Sequence, residues 1–141
     1  MGVQRSYLGN GNFSEYLYET IVGTEQRIND LNCKVIKLIA DKQGTHSNMP
    51  QYSATSDVYL ILGADGKVKQ MGVYKDYKLD KDFDWTYPHT NPGNKQKFPK
   101  GVVHVHPDVN HQTDARYMDD AEMMKYGNII HYYNADAKLR P

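Results

Sequence analysis

Two histidines stand two residues apart in the segment FPKGVVHVHPD, residues 98–108. The segment is typical of a short strand, and the side chains of a strand alternate between its two faces. Val103 and Val105 would then share one face, and His104 and His106 would share the other. Because an unperturbed imidazole has a pKa of about 6.5, such a pair can transfer protons near neutral pH or bind a metal ion when neutral.

Three interpretations of this pair are open. In the first, the imidazoles are the base and the acid of a metal-free RNA cleavage, in which the base takes the 2′-hydroxyl proton and the acid protonates the leaving oxygen. In the second, His-x-His on a strand is a chelating pair that needs a third ligand. Candidates for that ligand are His46, His89, Asp108 and His111. In the third, the pair is structural and does no chemistry.

Other residues could complete an acid/base site around the pair. His89 lies in the loop that leads into the His104 strand, so this loop could fold back over the same face. His46 follows Lys42 by four residues in a polar stretch. The loop before the strand also carries Lys95, Lys97 and Lys100. A local group of lysines attracts anions even on a neutral protein, although a solvated loop explains it equally well.

The composition limits the classes of protein to consider. The chain has 141 residues, of which 17 are basic and 17 acidic, so its formal net charge is zero. This balance argues against a bulk electrostatic grip on nucleic acid. Cys33 is the only cysteine, which excludes an internal disulfide and a cysteine-based zinc site. No apolar run reaches the ~18 residues of a membrane span, and residues 1–16 lack the apolar core of a signal peptide. We therefore expect no membrane partner.

The order of predicted elements indicates one α+β domain over residues 1–141, with residues 1–12 as a loose N-terminal arm. Apolar residues at helical spacing predict one or two short helices within residues 12–31. Asp65-Gly66, between two β-rich runs, predicts a hairpin. Further strands are expected at residues 77–87 and at the histidine pair. The expected architecture is N-terminal helices packed on one face of an antiparallel sheet of about four strands, with a short C-terminal helix.

Two patterns within these elements are specific. The strand at residues 77–87 places three aspartates on one face, which predicts an exposed polar face or, alternatively, a divalent cation site. These are Asp80, Asp82 and Asp84. The C-terminal helix should start after Asp119 as N-cap, with Glu122 completing a capping box, and should stop at Gly127.

This pattern resembles the C-terminal toxin domains of bacterial polymorphic toxins, and within them the barnase/EndoU/colicin-like RNase group. The resemblance spans about residues 40–131 and consists of KQGTH, the hairpin YLILGADGKVKQMGVYKD, an acidic strand, a PHTNP loop and the HVH strand. It implies a metal-independent endoribonuclease that needs no cofactor, with RNA as substrate and an immunity protein as partner. It also implies secretion by a route without a signal peptide, or delivery into the cytoplasm of a target cell; otherwise we expect a cytoplasmic protein.

Carried over to this chain, the resemblance makes His104 or His106 the general base and His46 or His89 the general acid. The residues expected to bind the substrate phosphate are Lys42, Lys100 and Arg116. The chain departs from the family because it is neutral where members are often basic. Two alternatives remain: a non-enzymatic binding or phage-structural module, and a zinc-dependent hydrolase in which the histidine cluster supplies the ligands.

Overall fold

A computed structural model describes the backbone of residues 3–7, 13–40, 49–53, 55–108 and 113–141. Over these ranges the chain forms eleven strands and one helix. The strands are β1 (Val3–Tyr7), β2 (Phe13–Thr20), β3 (Gln26–Ile28), β4 (Leu31–Ala40), β5 (Val58–Leu62), β6 (Val68–Lys75), β7 (Lys78–Asp84), β8 (His89–Thr90), β9 (Lys97–Phe98), β10 (His104–His106) and β11 (Arg116–Tyr117). The helix is α1 (Asp120–Tyr133).

The prediction of N-terminal helices was wrong, because the described part of residues 12–31 forms strands β2 and β3 and the start of β4. This segment is rich in tyrosine, threonine and isoleucine, which favour a pleated, half-buried surface. Asn29 and Asp30 have φ values of 53° and 62°, and the flanking residues Ile28 and Leu31 are paired. Two left-handed residues in a two-residue loop make a tight β-hairpin. Residues 3–7, expected in a loose arm, pair with β2 as β1.

Nine of the described strands form one sheet in the order β1-β2-β4-β5-β6-β7-β10-β11, with β3 paired to β4. The predicted α+β class was therefore wrong, because the described chain is mostly sheet with one C-terminal helix. The expected sheet of about four antiparallel strands was too small, and the pair β4–β5 is parallel. The hairpin predicted at Asp65-Gly66 is confirmed as the connection between β5 and β6, and Gly66 supplies its left-handed residue with φ of 82°. Strands β8 and β9 form a separate two-stranded ribbon, named the β8–β9 ribbon below.

Both faces of the sheet are covered, since its central strands carry buried side chains on each face. Helix α1 packs on the face that holds the larger core. Members of this core include Val35, Leu60, Met71, Phe83, Val103, Val105, Ile129 and Ile130. A second core lies on the other face and comprises Tyr18, Ile36, Met49, Tyr59, Ile61 and Tyr74. On that face Met49 lies directly over Gly72, where an added Cβ would come within 2.7 Å of the methionine sulfur.

Helix α1 begins as the sequence predicts and ends later. The capping box between Asp119 and Glu122 is confirmed, with both side-chain-to-backbone hydrogen bonds present. The prediction that Gly127 stops the helix was wrong, because the helix continues to Tyr133. A Cβ at Gly127 would lie 3.0 Å from Leu139, so this glycine allows the C-terminal segment to pack closely on the helix.

An ion cluster around the buried Glu122 joins α1 to the sheet. Glu122 accepts hydrogen bonds from the Arg116 guanidinium at 2.6 and 3.0 Å and from Lys81 Nζ at 3.0 Å. Burial alone would raise the pKa of the Glu122 carboxyl. The hydrogen bonds from Arg116, the Asp119 backbone and Lys81 outweigh burial and lower this pKa to about 2. The ionised carboxylate is therefore the stabilised form in the folded protein.

We expect Glu122→Gln to lower the free energy of unfolding by about 1–3 kcal/mol at pH 7, because it removes the buried carboxylate that accepts hydrogen bonds from the half-buried Arg116 and Lys81. The folded pKa of about 2 lies below the ordinary 4.5, so this stabilisation is complete above pH 4.5 and declines as the pH falls toward 2. Denaturant unfolding at several pH values from 7 to 3 should show the difference between variant and wild type shrinking.

The matched control is Asp120→Asn in the same helical turn, where an exposed pair with Arg140 is removed. We expect it to change stability by less than about 1 kcal/mol. Parallel pH profiles for Glu122→Gln and wild type would contradict this role of the ion cluster.

Candidate metal centre

Pairing of β10 with β7 brings two imidazoles and two carboxylates onto one face. His104 lies opposite Asp84, and His106 lies opposite Asp82. Directly opposite residues of an antiparallel pair project from the same face of the sheet. All four are buried, with exposed fractions of 2% for His104, 4% for His106, 4% for Asp82 and 3% for Asp84. The prediction that the aspartate row forms an exposed polar face was therefore wrong for these two carboxylates, as was the expectation of an open histidine face.

The β8–β9 ribbon adds a third imidazole to this face. The His89 ring lies 5.2 Å from the His104 ring, nearly parallel at 11°, and 4.9 Å from the His106 ring at 83°. The His104 and His106 rings are 4.9 Å apart. Each imidazole offers one nitrogen such that the three nitrogens lie within 4.8 Å of one another. One nitrogen from each of three histidines, two on β10 and one on the β8–β9 ribbon, therefore lies close to the other two.

An aromatic wall closes one side of the histidine cluster. Phe98 on β9 is buried, and its ring lies 5.3 Å from the His104 ring. Tyr117 on β11 meets Phe98 edge to face at 4.9 Å. Aromatic rings keep water away from the imidazoles, and a drier site strengthens every electrostatic interaction inside it.

A buried amide holds the β8–β9 ribbon in place next to the cluster. The Asn91 side chain exchanges two hydrogen bonds with the Ala115 backbone: the Ala115 N–H donates to Oδ1 at 3.0 Å, and Nδ2 donates to the Ala115 carbonyl at 2.8 Å. Nε2 of His89 lies 3.0 Å from the same Oδ1. The ribbon, the third histidine and the segment before β11 are therefore tied together.

The two carboxylates make this face unfavourable for negative charge. Burial raises the pKa of Asp82, and repulsion from Asp84 raises it further. A hydrogen bond from Gln70 Nε2 at 3.2 Å opposes the rise, and the pKa is about 7. A carboxyl in this position favours a proton or a nearby cation as compensation.

Small shifts would bring the three imidazole nitrogens to the spacing of a tetrahedral metal site. Zinc binds histidine nitrogens at about 2.0–2.1 Å, which places two such nitrogens about 3.4 Å apart. From separations of up to 4.8 Å, each nitrogen has to move by less than about 1 Å to reach that geometry. The opposite carboxylates of Asp82 and Asp84 are the kind of group that orients a metal-bound imidazole through its second nitrogen.

The structure brings together three of the four histidines predicted as catalytic: His89, His104 and His106. His46 and Lys42 lie outside the described residues, as does the further ligand candidate His111. Two predicted phosphate-binding residues are placed elsewhere. Arg116 pairs with Val105 in register, so it projects from the helix-covered face and binds Glu122. Lys100 is exposed and lines a groove with Trp85 and Asn134.

Asp82, Asp84 and Asn91 are functional candidates that the sequence did not identify as partners of the histidines. The aspartates stand at every second position of β7, which predicts that they share one face of the strand but does not predict which strand lies beside it. Asn91 stands two residues after His89 with no pattern that marks it. Only the pairing of β7 with β10 and the docking of the ribbon reveal these neighbours.

The sequence matches no known protein family, no curated protein and no solved structure. The resemblance to toxin RNases therefore stays a prediction. Within the described residues, no helix combines the length and the apolar character needed to cross a membrane.

We expect Asp82→Asn to stabilise the metal-free protein increasingly as the pH rises. The folded pKa of about 7 exceeds the ordinary 3.8, so the contribution of Asp82 is complete below pH 3.8 and is lost as the pH rises through 7. The gain of the variant over wild type should grow by on the order of 2–4 kcal/mol between pH 4 and pH 8. Denaturant unfolding in EDTA measures it.

Asp80→Asn on the same strand is the matched control, because Asp80 is exposed. Its difference from wild type should stay within about 0.5 kcal/mol over this pH range. If Asp82→Asn and Asp80→Asn gave parallel profiles of stability against pH, the raised pKa assigned to Asp82 would be wrong.

Proposed function

We propose that His89, His104 and His106 bind one divalent transition-metal ion, with zinc as first choice, and that the ion activates water for hydrolysis of a phosphodiester. The single observation that carries this proposal is the convergence of three imidazole nitrogens within 4.8 Å of one another on a covered sheet face. Zinc-activated hydrolysis commonly uses three protein ligands and keeps one position for water.

Burial favours this proposal over metal-free acid/base catalysis. A general base has to come within hydrogen-bond reach of the proton it removes, whereas His104 and His106 lie under the β8–β9 ribbon with almost no exposed surface. As metal ligands, the two imidazoles need not contact the substrate, which has to reach only the open position of the ion on the partly exposed His89 side. Two buried carboxylates on the same face also favour a cation there.

His89 marks the side from which the site is approached, because it is the only partly exposed member of the three. An ion held by these three imidazoles would lower the pKa of its bound water to about 7, and would thereby supply hydroxide at neutral pH. Hydrolysis would form one bond from this hydroxide to phosphorus and break the bond to the leaving oxygen, which would take its proton from solvent water. Lys95 and Lys97, which are exposed in the turn and on β9 of the ribbon, favour an anionic substrate.

A second candidate function has its own supporting observation. His104 and His106 are buried as deeply as core residues, which is typical of a structural ion that pins one element to another. In that case the ion would hold the β8–β9 ribbon on the sheet, and the protein would be a non-enzymatic binding module. The RNA substrate and the immunity protein remain predictions under either candidate.

The test is a zinc titration of the EDTA-treated protein, followed by cleavage assays on RNA and on bis(p-nitrophenyl) phosphate with zinc and with EDTA. We expect one zinc ion per chain, and a loss of at least about tenfold in affinity for His89→Gln, because a ligand is removed. The matched control is His131→Gln on α1, where the imidazole contacts the Ala137 carbonyl instead of the cluster. We expect its affinity to be unchanged.

Each outcome separates the candidates. Zinc-dependent cleavage supports the hydrolase. Zinc binding that raises the Tm without any cleavage supports the structural ion. Cleavage of RNA in EDTA that is lost in the double variant His104→Ala/His106→Ala would establish the metal-free RNase and overturn the metal centre. Absence of zinc binding by wild type would also overturn it.

A further inference from the structure

The buried amide of Asn91 has only one chemically acceptable orientation. Asn91 is fully buried, with 0% of its surface exposed. Its Oδ1 lies 3.0 Å from the Ala115 backbone nitrogen, and its Nδ2 lies 2.8 Å from the Ala115 carbonyl oxygen. A backbone N–H can only donate and a carbonyl can only accept. The amide oxygen must therefore face the Ala115 N–H, and a flipped amide would lose both hydrogen bonds.

This orientation determines which nitrogen of His89 carries the proton. Nε2 of His89 lies 3.0 Å from Asn91 Oδ1, and two acceptors cannot form a hydrogen bond with each other. Nε2 must therefore donate. In a neutral imidazole the other nitrogen, Nδ1, then has no proton and presents its lone pair.

We propose that Asn91 is a positioning residue that holds His89 in the Nε2–H tautomer, so that Nδ1 is the atom of His89 that binds the metal ion. The inference rests on the metal centre proposed above and specifies how one ligand is prepared for it. His89 needs this support more than the other two ligands do. His104 and His106 are fixed by the backbone of β10 within the sheet, whereas His89 comes from the separate β8–β9 ribbon.

The amide also couples ligand orientation to the docking of the ribbon. Within the ribbon, the Asn91 N–H donates to the Gln96 carbonyl at 2.9 Å, and the Lys95 N–H donates to the Asn91 carbonyl at 3.1 Å. The side chain of the same residue reaches out of the ribbon to Ala115. One residue thus closes the turn, docks the ribbon and sets the tautomer of the ligand. A hydrogen-bond acceptor behind a metal-bound imidazole typically changes metal affinity by 10–100-fold.

The first test reads the tautomer directly in metal-free protein. Long-range ¹H–¹⁵N spectra of protein labelled with ¹⁵N-histidine distinguish protonated from unprotonated ring nitrogens, and His89→Gln identifies the His89 signals. We expect wild type at pH 7.5 in EDTA to carry the His89 proton on Nε2, and Asn91→Ala to show a mixture of tautomers. A proton on Nδ1 in wild type would overturn the inference.

The second test adds zinc. We expect zinc to shift the Nδ1 signal of His89 and leave Nε2 protonated, and Asn91→Ala to bind zinc 10–100-fold more weakly than wild type. Asn94→Ala is the matched control, because Asn94 is an exposed asparagine in the same turn. Its affinity should stay within about threefold of the wild-type value. A zinc-induced shift of Nε2 instead would overturn the inference.

Asn91→Asp separates positioning from simple structural support. The carboxylate keeps an acceptor for His89 and for the Ala115 N–H but cannot donate to the Ala115 carbonyl. We therefore expect the Nε2–H tautomer and zinc affinity within about fivefold of wild type, together with a lower Tm. If Asn91→Asp weakened zinc binding as much as Asn91→Ala while the His89 tautomer stayed unchanged in both variants, the role of Asn91 would be structural only.

The failures of the two proposals are distinguishable. If wild type bound no zinc, the metal centre itself would be wrong, and the positioning role would end with it. If wild type bound zinc and Asn91→Ala bound it equally well with an unchanged tautomer, only the positioning role would be wrong.

Discussion

The structure depends on how one sheet face accommodates four ionisable side chains away from water. Imidazoles on β10 and carboxylates on β7 project from that face in opposite pairs and are almost completely buried. Unpaired charge in such a position costs far more than burial of apolar surface returns. Water is kept from this face by the β8–β9 ribbon, the aromatic wall and the residues that cover β6. Because water is excluded, a negative charge on this face favours a proton or a cation beside it.

The same molecule compensates buried charge in two different ways. On the helix-covered face Glu122 is surrounded by Arg116 and Lys81, and its pKa is low because two cations bind it. On the opposite face the described partner of Asp82 is the neutral amide of Gln70, and the pKa of Asp82 is high. Around Glu122 the negative charge is already balanced by two cations, and this cluster docks α1 on the sheet. The arrangement around Asp82 favours an additional positive charge, and the three imidazoles beside it are the ligands that a transition metal prefers.

Local sequence patterns were sufficient to predict structural features that lie within a single element. The alternation around His104, the Asp65-Gly66 turn and the capping box of α1 are properties of a few adjacent residues, and each was predicted. Long-range pairing could not be predicted in this way. Most of the apolar residues at helical spacing in residues 12–31 belong to strands, whose register is set by the neighbouring strands. The partners of the histidine pair come from β7 and from the ribbon. Arg116 was assigned to the site because nothing in the sequence shows which face it projects from.

The separateness of the β8–β9 ribbon has a kinetic consequence. Two of the three proposed ligands belong to the sheet, but the third belongs to a ribbon with its own hydrogen bonds. Contacts that hold this ribbon include those of Asn91, Phe98 and the Asn94 N–H, which donates to Asp114. An ion bound by all three would lose its His89 ligand whenever the ribbon lifted away, even while the sheet stayed intact. The lifetime of the bound ion would then follow the opening rate of a small local unit instead of the stability of the whole domain. Affinity and residence time would thus be set by different parts of the chain.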